Sequence, residues 1–332
     1  MHKAALFYDH TPLDGDVFGK GRRERIAQLT NLYPTVITRA NFAEHAAALS
    51  DVEVIFATWG LFPFETAHFQ TMPKLRAVFY AAGNVKAFAQ PLLDRDIVLV
   101  SAWAMNATAT AQLVLGQILL TCRGYYRGVR RYRELGDTAQ ARAFWRPGAN
   151  GETIGLIGMG WVGRRLTQYL RDFGFRVIAS DPLLSDARAA ELGVTKVSLE
   201  ELFAQSYIVS NHIPDLPTTR GVLGRALFEK MRDGATFINS GRGAQVVESD
   251  LIAALQARPD LTALLDVTHP EPLPKDSPLW TLPNAVISPH MGGTIGDEVV
   301  RLADCAIEEF IAWNAGHPLS YQVTKEIFAT MG

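Results

Sequence analysis

The sequence predicts an α/β protein with a doubly wound parallel sheet, and three observations support this prediction. Short apolar runs alternate with helical patterns along most of the 332 residues, which is typical of β-α-β units. A glycine-rich turn at residues 158–163 joins one apolar run to a helical pattern. The length favours two domains, because a domain averages roughly 150 residues.

The composition is that of an ordinary globular protein, with 48% hydrophobic and 20% charged residues and a formal net charge of −2. A charge so close to zero gives no long-range attraction to nucleic acid or to a membrane, so we expect neither as a partner. The two cysteines, Cys122 and Cys305, fit a reducing compartment, and no residue spacing indicates a metal site. No signal peptide and no apolar stretch of ~18 residues is recognisable. We therefore expect a cytoplasmic protein.

The first hundred residues predict a small α/β layer of their own, with helices or turns between the strands. Aromatic residues Trp59, Phe62 and Phe64 follow the second strand. They could line a pocket, although clustered aromatic residues more often form a core. The predicted strands cover residues 4–8, 52–58, 77–80 and 97–100.

One unusually long helix is expected at residues 106–135. Apolar residues recur there at steps of three and four, and Asn106 is a suitable N-cap. Because this length far exceeds the mean of about 11 to 12 residues, we interpret the helix as crossing between two domains.

The segment 153–163 predicts the first half of a dinucleotide-binding βαβ unit. Gly158 permits the turn out of the strand, and Gly160 lets the backbone approach a pyrophosphate. Gly163 allows the helix to pack closely on the strand. The helix N-terminus then offers free N–H groups and a partial positive charge to the phosphates.

Asp181 ends the next predicted strand, 18 residues beyond Gly163. A carboxylate there can accept hydrogen bonds from both ribose hydroxyls, whereas a 2′-phosphate would meet a like charge. This position favours NAD over NADP as the cofactor. The alternative is that Asp181 is only a turn residue before Pro182.

Strand patterns continue after Asp181, and the two strands of the βαβ unit bring the number in this sheet to six, as in a complete dinucleotide-binding sheet. A final helix at about 296–314 can return across the domain boundary, so that the tail completes the first domain. The later strands are expected at residues 206–211, 235–239, 261–267 and 285–288.

Candidate catalytic residues lie just past the late strands, because ligands bind outside the carboxyl ends of a parallel sheet. Arg242 could hold a substrate carboxylate or polarise a carbonyl group. His290 could exchange an alcohol proton, and Glu271 could hydrogen-bond to His290 and favour its protonated form. Taken singly, Arg242 could be a surface loop residue, Glu271 a turn residue and His290 a buried structural histidine. Their joint occurrence with His212 and Asp266 at successive strand ends favours a redox site for an alcohol or ketone.

Four stretches resemble the D-isomer-specific 2-hydroxyacid dehydrogenases: IGMGWVG with Asp181, NHIPDLPTTRGVLG, INSGRGAQVVESDLIAAL, and LLDVTHPEPLP followed by SPHMGG. The resemblance implies a Rossmann cofactor domain, residues 104–296, inserted into a smaller flavodoxin-like substrate domain formed by residues 1–103 and 297–332. It also implies a mobile cleft between them, and a homodimer built on the cofactor domains.

The resemblance also assigns roles to individual residues. It makes Arg242 the substrate-binding arginine, His290 the acid/base and Glu271 its paired carboxylate. Gly83 and Asn84 would offer backbone N–H groups to the substrate carboxylate. Beside Gly158, Gly160, Gly163 and Asp181, the residues expected near the cofactor are Trp161, Val162, His212, Pro214, Ser240, Gly241, Arg242, Asp266, His290, Met291, Gly292 and Gly293.

The sequence departs from the family pattern in two places. Thr110 and Gln112 stand where valine and glutamate are common, which together with the Trp59 loop leaves the substrate open. Trp161-Val162 replaces arginine-isoleucine, a change that should touch backbone contacts only. Family formate dehydrogenases carry glutamine where Glu271 stands, which disfavours formate.

We therefore expect an NAD-dependent oxidoreductase that interconverts a 2-oxo acid and its D-2-hydroxy acid. Two alternatives stay open at this point. One is an NADH-sensing interaction protein, like the corepressors that share this fold. The other is an NADP-linked glyoxylate or hydroxypyruvate reductase, which would require a different role for Asp181.

Overall fold

The computed structural model describes residues 1–9 and 15–331. The chain divides into two compact units, unit 1 formed by Met1–Asn106 with Thr294–Gly332, and unit 2 formed by Ala107–Gly293. The boundaries predicted from the sequence, at 103–104 and 296–297, lie a few residues from these junctions.

Strands and helices alternate through both units. The strands are β1 Lys3–Phe7, β2 Asn31–Leu32, β3 Val54–Ala57, β4 Ala77–Tyr80, β5 Val98–Ser101, β6 Thr153–Ile157, β7 Arg176–Ser180, β8 Thr195–Lys196, β9 Ile208–Asn211, β10 Thr236–Asn239, β11 Thr262–Leu265 and β12 Ala285–Ile287. The α-helices are α1 Arg22–Leu29, α2 Phe42–Leu49, α3 Thr66–Thr71, α4 Ala89–Leu93, α5 Trp103–Cys122, α6 Tyr125–Leu135, α7 Thr138–Arg142, α8 Trp161–Leu170, α9 Asp186–Leu192, α10 Leu199–Gln205, α11 Arg225–Phe228, α12 Glu248–Ala257, α13 Val300–Asn314 and α14 Lys325–Thr330. Short 3₁₀ helices cover Arg171–Phe173, Gly243–Gln245, Pro278–Trp280 and Gly296–Val299.

Unit 1 contains a five-stranded parallel sheet with the order β2-β1-β3-β4-β5, which is the flavodoxin-like order. Its strands are apolar on both faces because helices cover both. On one face Phe310 of α13 packs edge-on against Phe56 and Phe79. On the other face Phe62 and Phe64 are buried, so these aromatic residues form core, as the second sequence interpretation had it.

Unit 2 contains a seven-stranded parallel sheet with the order β12-β11-β10-β9-β6-β7-β8. From β6 the chain adds β7 and β8 on one side of the sheet, and then crosses to add β9 to β12 on the other side of β6. The crevice where doubly wound sheets bind dinucleotides lies at this change of side, between β6 and β9. The predicted doubly wound fold is confirmed, but the predicted count of six strands is wrong. The additional strand, β8, has two residues paired with Ile178 and Ala179 at the edge of the sheet, too few to produce a recognisable pattern.

The single long helix predicted at 106–135 is also wrong. Gly124 has a left-handed backbone with φ of 71° and separates α5 from α6, and a left-handed residue cannot continue a right-handed helix. Asn106 is not an N-cap either, because α5 begins at Trp103. Its side-chain oxygen instead accepts a hydrogen bond from the N–H of Thr294 at 2.9 Å. In the part of the chain that the structure describes, no helix is both long and apolar enough to span a membrane.

Candidate active site

The glycine turn after β6 has a different requirement at each glycine. Gly158 has φ of 89°, and its N–H donates to the carbonyl oxygen of Ser180 at 2.9 Å. A Cβ atom at Gly163 would overlap the carbonyl oxygen of Gly158, whereas one at Gly160 would have no atom within 4 Å. Gly163 is therefore needed for packing, while the side of Gly160 faces open space. Because α8 begins immediately after this open side, the turn fits the pyrophosphate of a dinucleotide.

Asp181 is fixed against the same turn. Its Oδ2 accepts the N–H of Met159 at 2.6 Å, and its Oδ1 accepts the N–H of Leu183 at 2.7 Å. The second bond is the local turn contact that the alternative interpretation expected. Each carboxylate oxygen retains capacity for a further hydrogen bond, so the turn contact and ribose binding are compatible.

The segments after β9 and β10 are joined through His212. Its Nδ1 lies 2.9 Å from the hydroxyl of Ser240, and its Nε2 is buried with no partner among the described residues. Burial lowers the pKa of His212 to about 3, so the imidazole is neutral at physiological pH. Nearby, the carbonyl oxygen of Pro214 accepts the hydroxyl of Thr219 at 2.6 Å.

Arg242 is positioned by a cluster of buried amides that the sequence analysis missed: Asn211, Asn239 and Gln245. The amide nitrogen of Asn211 donates to the side-chain oxygens of both other residues, at 2.9 and 2.8 Å. The Gln245 oxygen also accepts the backbone N–H of Arg242 at 2.9 Å, and the Asn239 oxygen accepts that of Gly241 at 3.1 Å. The sequence carried one signal for this cluster, because Asn211 and Asn239 are polar residues at the ends of apolar strands.

The guanidinium of Arg242 is largely uncommitted. One of its nitrogens donates to the carbonyl oxygen of Gly241 at 2.8 Å. Among residues 1–9 and 15–331 no carboxylate forms an ion pair with it. Since a guanidinium has five donors, several remain for an anionic ligand.

His290 and Glu271 form a direct pair, with Nδ1 and Oε1 2.6 Å apart. Both side chains are more than two fifths exposed, at 45% and 41%, so the pair faces solvent. Because Nδ1 is committed to the carboxylate, Nε2 is the nitrogen left for a proton exchange with substrate.

Asp266 organises the segment that carries His290. It is 4% exposed, and its carboxylate accepts the hydroxyl of Ser288 at 2.6 Å and the N–H groups of Met291 and Gly292 at 2.9 and 2.8 Å. A Cβ atom at Gly292 would lie 2.7 Å from that carboxylate. The three bonds give Asp266 a structural role, and its expected contact with the nicotinamide stays a prediction.

Gly83 and Asn84 belong to unit 1, in the turn after β4. The hydroxyl of Ser101 lies 2.8 and 2.7 Å from the carbonyl oxygens of Ala82 and Gly83, which fixes the turn. The side-chain oxygen of Asn84 accepts the N–H of Lys86 at 2.8 Å. The substrate-binding role of these two N–H groups stays a prediction.

The parallel sheet of unit 2, its glycine turn and the polar side chains past its strands are the features of a dinucleotide-dependent oxidoreductase. The profile described as D-isomer specific 2-hydroxyacid dehydrogenase, NAD binding domain, matches residues 115–292. The chain belongs to this family. The family and the NAD-binding fold inferred from the sequence are thereby confirmed.

Curated relatives agree with this membership, and a solved structure shares the fold. The chain is 31% identical over 294 residues to glyoxylate/hydroxypyruvate reductase B of Klebsiella pneumoniae, covering 86% of this chain and 87% of that protein. It is 31% identical over 226 residues to D-3-phosphoglycerate dehydrogenase of Archaeoglobus fulgidus, covering 68% of this chain but only 42% of that protein. A phosphoglycerate oxidoreductase from Rhizobium etli shares the fold, with a TM-score of 0.81 at 23% identity and coverage of 98% and 99%.

Proposed function

We propose that the protein interconverts a small 2-oxo acid and its D-2-hydroxy acid with NAD(H), using Arg242, Glu271 and His290. The observation that carries the proposal is the 2.6 Å pair of His290 with Glu271, which leaves one imidazole nitrogen for the substrate. Arg242, with most of its donors uncommitted, supplies the cation that an acid substrate requires.

The residues that would hold NAD(H) are those of the glycine turn, the N-terminus of α8 and Asp181. His212, Pro214, Ser240, Gly241, Asp266, Met291, Gly292 and Gly293 would complete its surroundings. When bound, NAD(H) supplies or accepts the hydride at substrate C2. The residues fit this cofactor because Gly160 leaves open space beside the helix N-terminus.

His290 carries the proton in this scheme. In reduction, the substrate carbonyl gains a hydride at carbon, its π electron pair moves to oxygen, and Nε2 of protonated His290 gives that oxygen a proton. In oxidation, neutral His290 takes the hydroxyl proton back. Glu271 stabilises the charged imidazolium and holds the ring in place.

Arg242 binds the substrate carboxylate, preferably through two parallel hydrogen bonds. The cluster of Asn211, Asn239 and Gln245 keeps its backbone fixed, so the guanidinium is presented from a rigid segment. Gly83 and Asn84 would add backbone donors from unit 1. Arg242→Gln should therefore raise KM strongly, whereas the affinity for NADH should change much less.

The decisive measurement is NADH oxidation, followed by absorbance, against a panel of 2-oxo acids. Glyoxylate, hydroxypyruvate, pyruvate, oxaloacetate, and branched-chain and aromatic oxo acids cover the side-chain classes. We expect rapid turnover with a small member, since a glyoxylate/hydroxypyruvate reductase is among the relatives. Tight NADH binding without turnover on any acid would overturn the proposal and favour the sensing alternative.

We also propose that the protein acts as a homodimer in the cytoplasm. Both cysteines are buried and unpaired, which suits a reducing compartment. In unit 2, large apolar side chains on or after α5 and α6 are exposed, which suits a subunit contact: Leu120, Tyr125, Tyr132, Leu135 and Trp145. Sedimentation equilibrium should give twice the mass of one chain, and cell fractionation should recover the protein with cytoplasmic markers.

A further inference from the structure

Arg164 has surroundings that the proposed reaction does not explain. It is the fourth residue of α8 and directly follows Gly163, the last residue of the glycine turn. Its guanidinium lies 5.2 Å from the centroid of the Trp161 ring, and the indole itself is 38% exposed. The guanidinium thus lies over an aromatic ring in the N-terminal turn of α8. Such a contact orients a cation without neutralising its charge.

Arg164 is partly buried and has no ion pair in the described ranges, 1–9 and 15–331. Burial is the main cause that lowers its pKa, and the charge of Arg188 lowers it further while Asp181 acts in the opposite direction. Arg188 is itself paired with Glu191 at 2.5 Å. A partly desolvated cation without a partner is costly, so an anion supplied by a ligand would stabilise it.

The neighbouring carboxylate does not serve as that anion. Both oxygens of Asp181 accept backbone N–H groups, from Met159 and Leu183. Asp181 therefore stays turned toward the glycine turn, and Arg164 remains within its electrostatic range without a direct bond. The Arg164 cation thus lies within electrostatic range of the carboxylate that is expected at the adenosine ribose.

We propose that Arg164, held over the indole of Trp161, binds a phosphate group of the dinucleotide cofactor. The inference rests on the cofactor site of the proposed function. Two phosphate sources have the same chemistry: the pyrophosphate of either cofactor, and the 2′-phosphate of NADP(H). If Arg164 binds the 2′-phosphate, Arg164 and Arg188 together offset the repulsion between that phosphate and Asp181. The site would then accept both NAD(H) and NADP(H).

The test is calorimetric titration of the whole protein with four compounds: NADH, NADPH, ADP and adenosine 2′,5′-bisphosphate. Arg164→Met removes the cation and keeps most of the apolar stem. Because the variant loses a hydrogen bond to a charged group, we expect Kd to rise about 10- to 100-fold for the compounds whose phosphate Arg164 binds. Arg164→Lys keeps the charge without the planar fork and should lose less.

Arg165→Met is the matched control, because Arg165 is the next residue on the same helix and donates to Gln168 at 3.2 Å. A loss confined to NADPH and adenosine 2′,5′-bisphosphate assigns Arg164 to the 2′-phosphate. A loss shared by all four compounds assigns it to the phosphates on the 5′ side. If Arg164→Met binds all four as the Arg165 control does, the inference is wrong while the proposed function stands. If the unmodified protein binds none of them, the cofactor site itself is wrong.

Discussion

Asp266 holds His290 in a left-handed conformation from both sides. The backbone oxygen of Asp266 accepts the N–H of His290 at 3.0 Å, and its carboxylate accepts the N–H groups of the two residues that follow. His290 has φ of 52°, a conformation that non-glycine residues adopt only when their surroundings require it. The end of β11 therefore sets the direction in which the side chain of His290, the proposed proton donor, leaves the backbone.

Asp266→Asn should reduce both stability and turnover. The substitution places an NH₂ group where a carboxylate oxygen now accepts a backbone N–H, so one buried donor loses its partner. We expect a loss of about 1–3 kcal/mol in the free energy of unfolding, together with slower turnover because the His290 segment is released. Urea denaturation and NADH oxidation measure the two effects. Asp276→Asn, at an exposed carboxylate, is the control, and equal behaviour of the two variants would contradict this role.

His290→Gln should lower turnover by on the order of 10² to 10⁴ while largely preserving NADH affinity. Glutamine keeps hydrogen-bonding capacity but cannot exchange a proton near neutral pH. Steady-state rates and calorimetric titration with NADH separate the two quantities. His317→Gln, at an exposed site, should behave as the unmodified protein. A near-normal rate in the His290 variant would remove the proposed mechanism.

Two alanine substitutions in the glycine turn should separate folding from binding. Gly163→Ala places a methyl group against the carbonyl oxygen of Gly158, so we expect a loss of about 1–3 kcal/mol in stability. Gly160→Ala meets no protein atom and should melt at the unmodified temperature, yet bind NADH more weakly because the methyl group occupies the pyrophosphate approach. Thermal denaturation and NADH titration test the pair. Unchanged NADH affinity in the Gly160 variant would place the pyrophosphate elsewhere.

His212 should make stability depend on pH in the acid range. Burial holds its folded pKa at about 3, whereas an unfolded histidine titrates near 6.5. The unfolded state therefore binds a proton that the folded state does not, and stability falls as the pH drops from about 6.5 toward 3. At pH 5 this lowers the free energy of unfolding by about 2 kcal/mol relative to its value above pH 6.5. His212→Asn should flatten this part of the stability profile, measured by urea denaturation at several pH values; an unchanged slope would contradict the assignment.

The sequence predicted the elements that repeat a strong pattern and missed those that depend on distant contacts. Strand β4 has the predicted bounds because its four residues are all buried and uniformly apolar. The break at Gly124 was missed because apolar spacing continues through both helices, and a single glycine inside such a pattern does not by itself indicate a left-handed residue. Strand β8 was missed because its two residues are exposed.

The candidate site divides in the same way. The positions of Arg242, Glu271 and His290 past the ends of late strands, and the contact between His290 and Glu271, could be predicted because polar residues follow apolar strand patterns there. The amides of Asn239 and Gln245, and the hydroxyl of Ser288, could not be assigned because their roles consist of hydrogen bonds to partners that only the folded chain brings together. Arg164 and Trp161 lie three residues apart on one helix, so their contact follows from local spacing. The proposed phosphate site depends as well on the charges of Asp181 and Arg188, which lie outside that helix.

The left-handed backbone at position 290 also limits which residue types can replace histidine there without disturbing the fold. Asparagine and glycine tolerate this conformation, whereas β-branched residues such as valine do not. Inactive variants should therefore form two populations. Asparagine and glycine variants would keep the surrounding segment intact and lose only the reaction, whereas valine and isoleucine variants would also disturb the bonds to Asp266. The first population reports on the reaction without a disturbed backbone, and a deep mutational scan that measures both abundance and activity would distinguish the two.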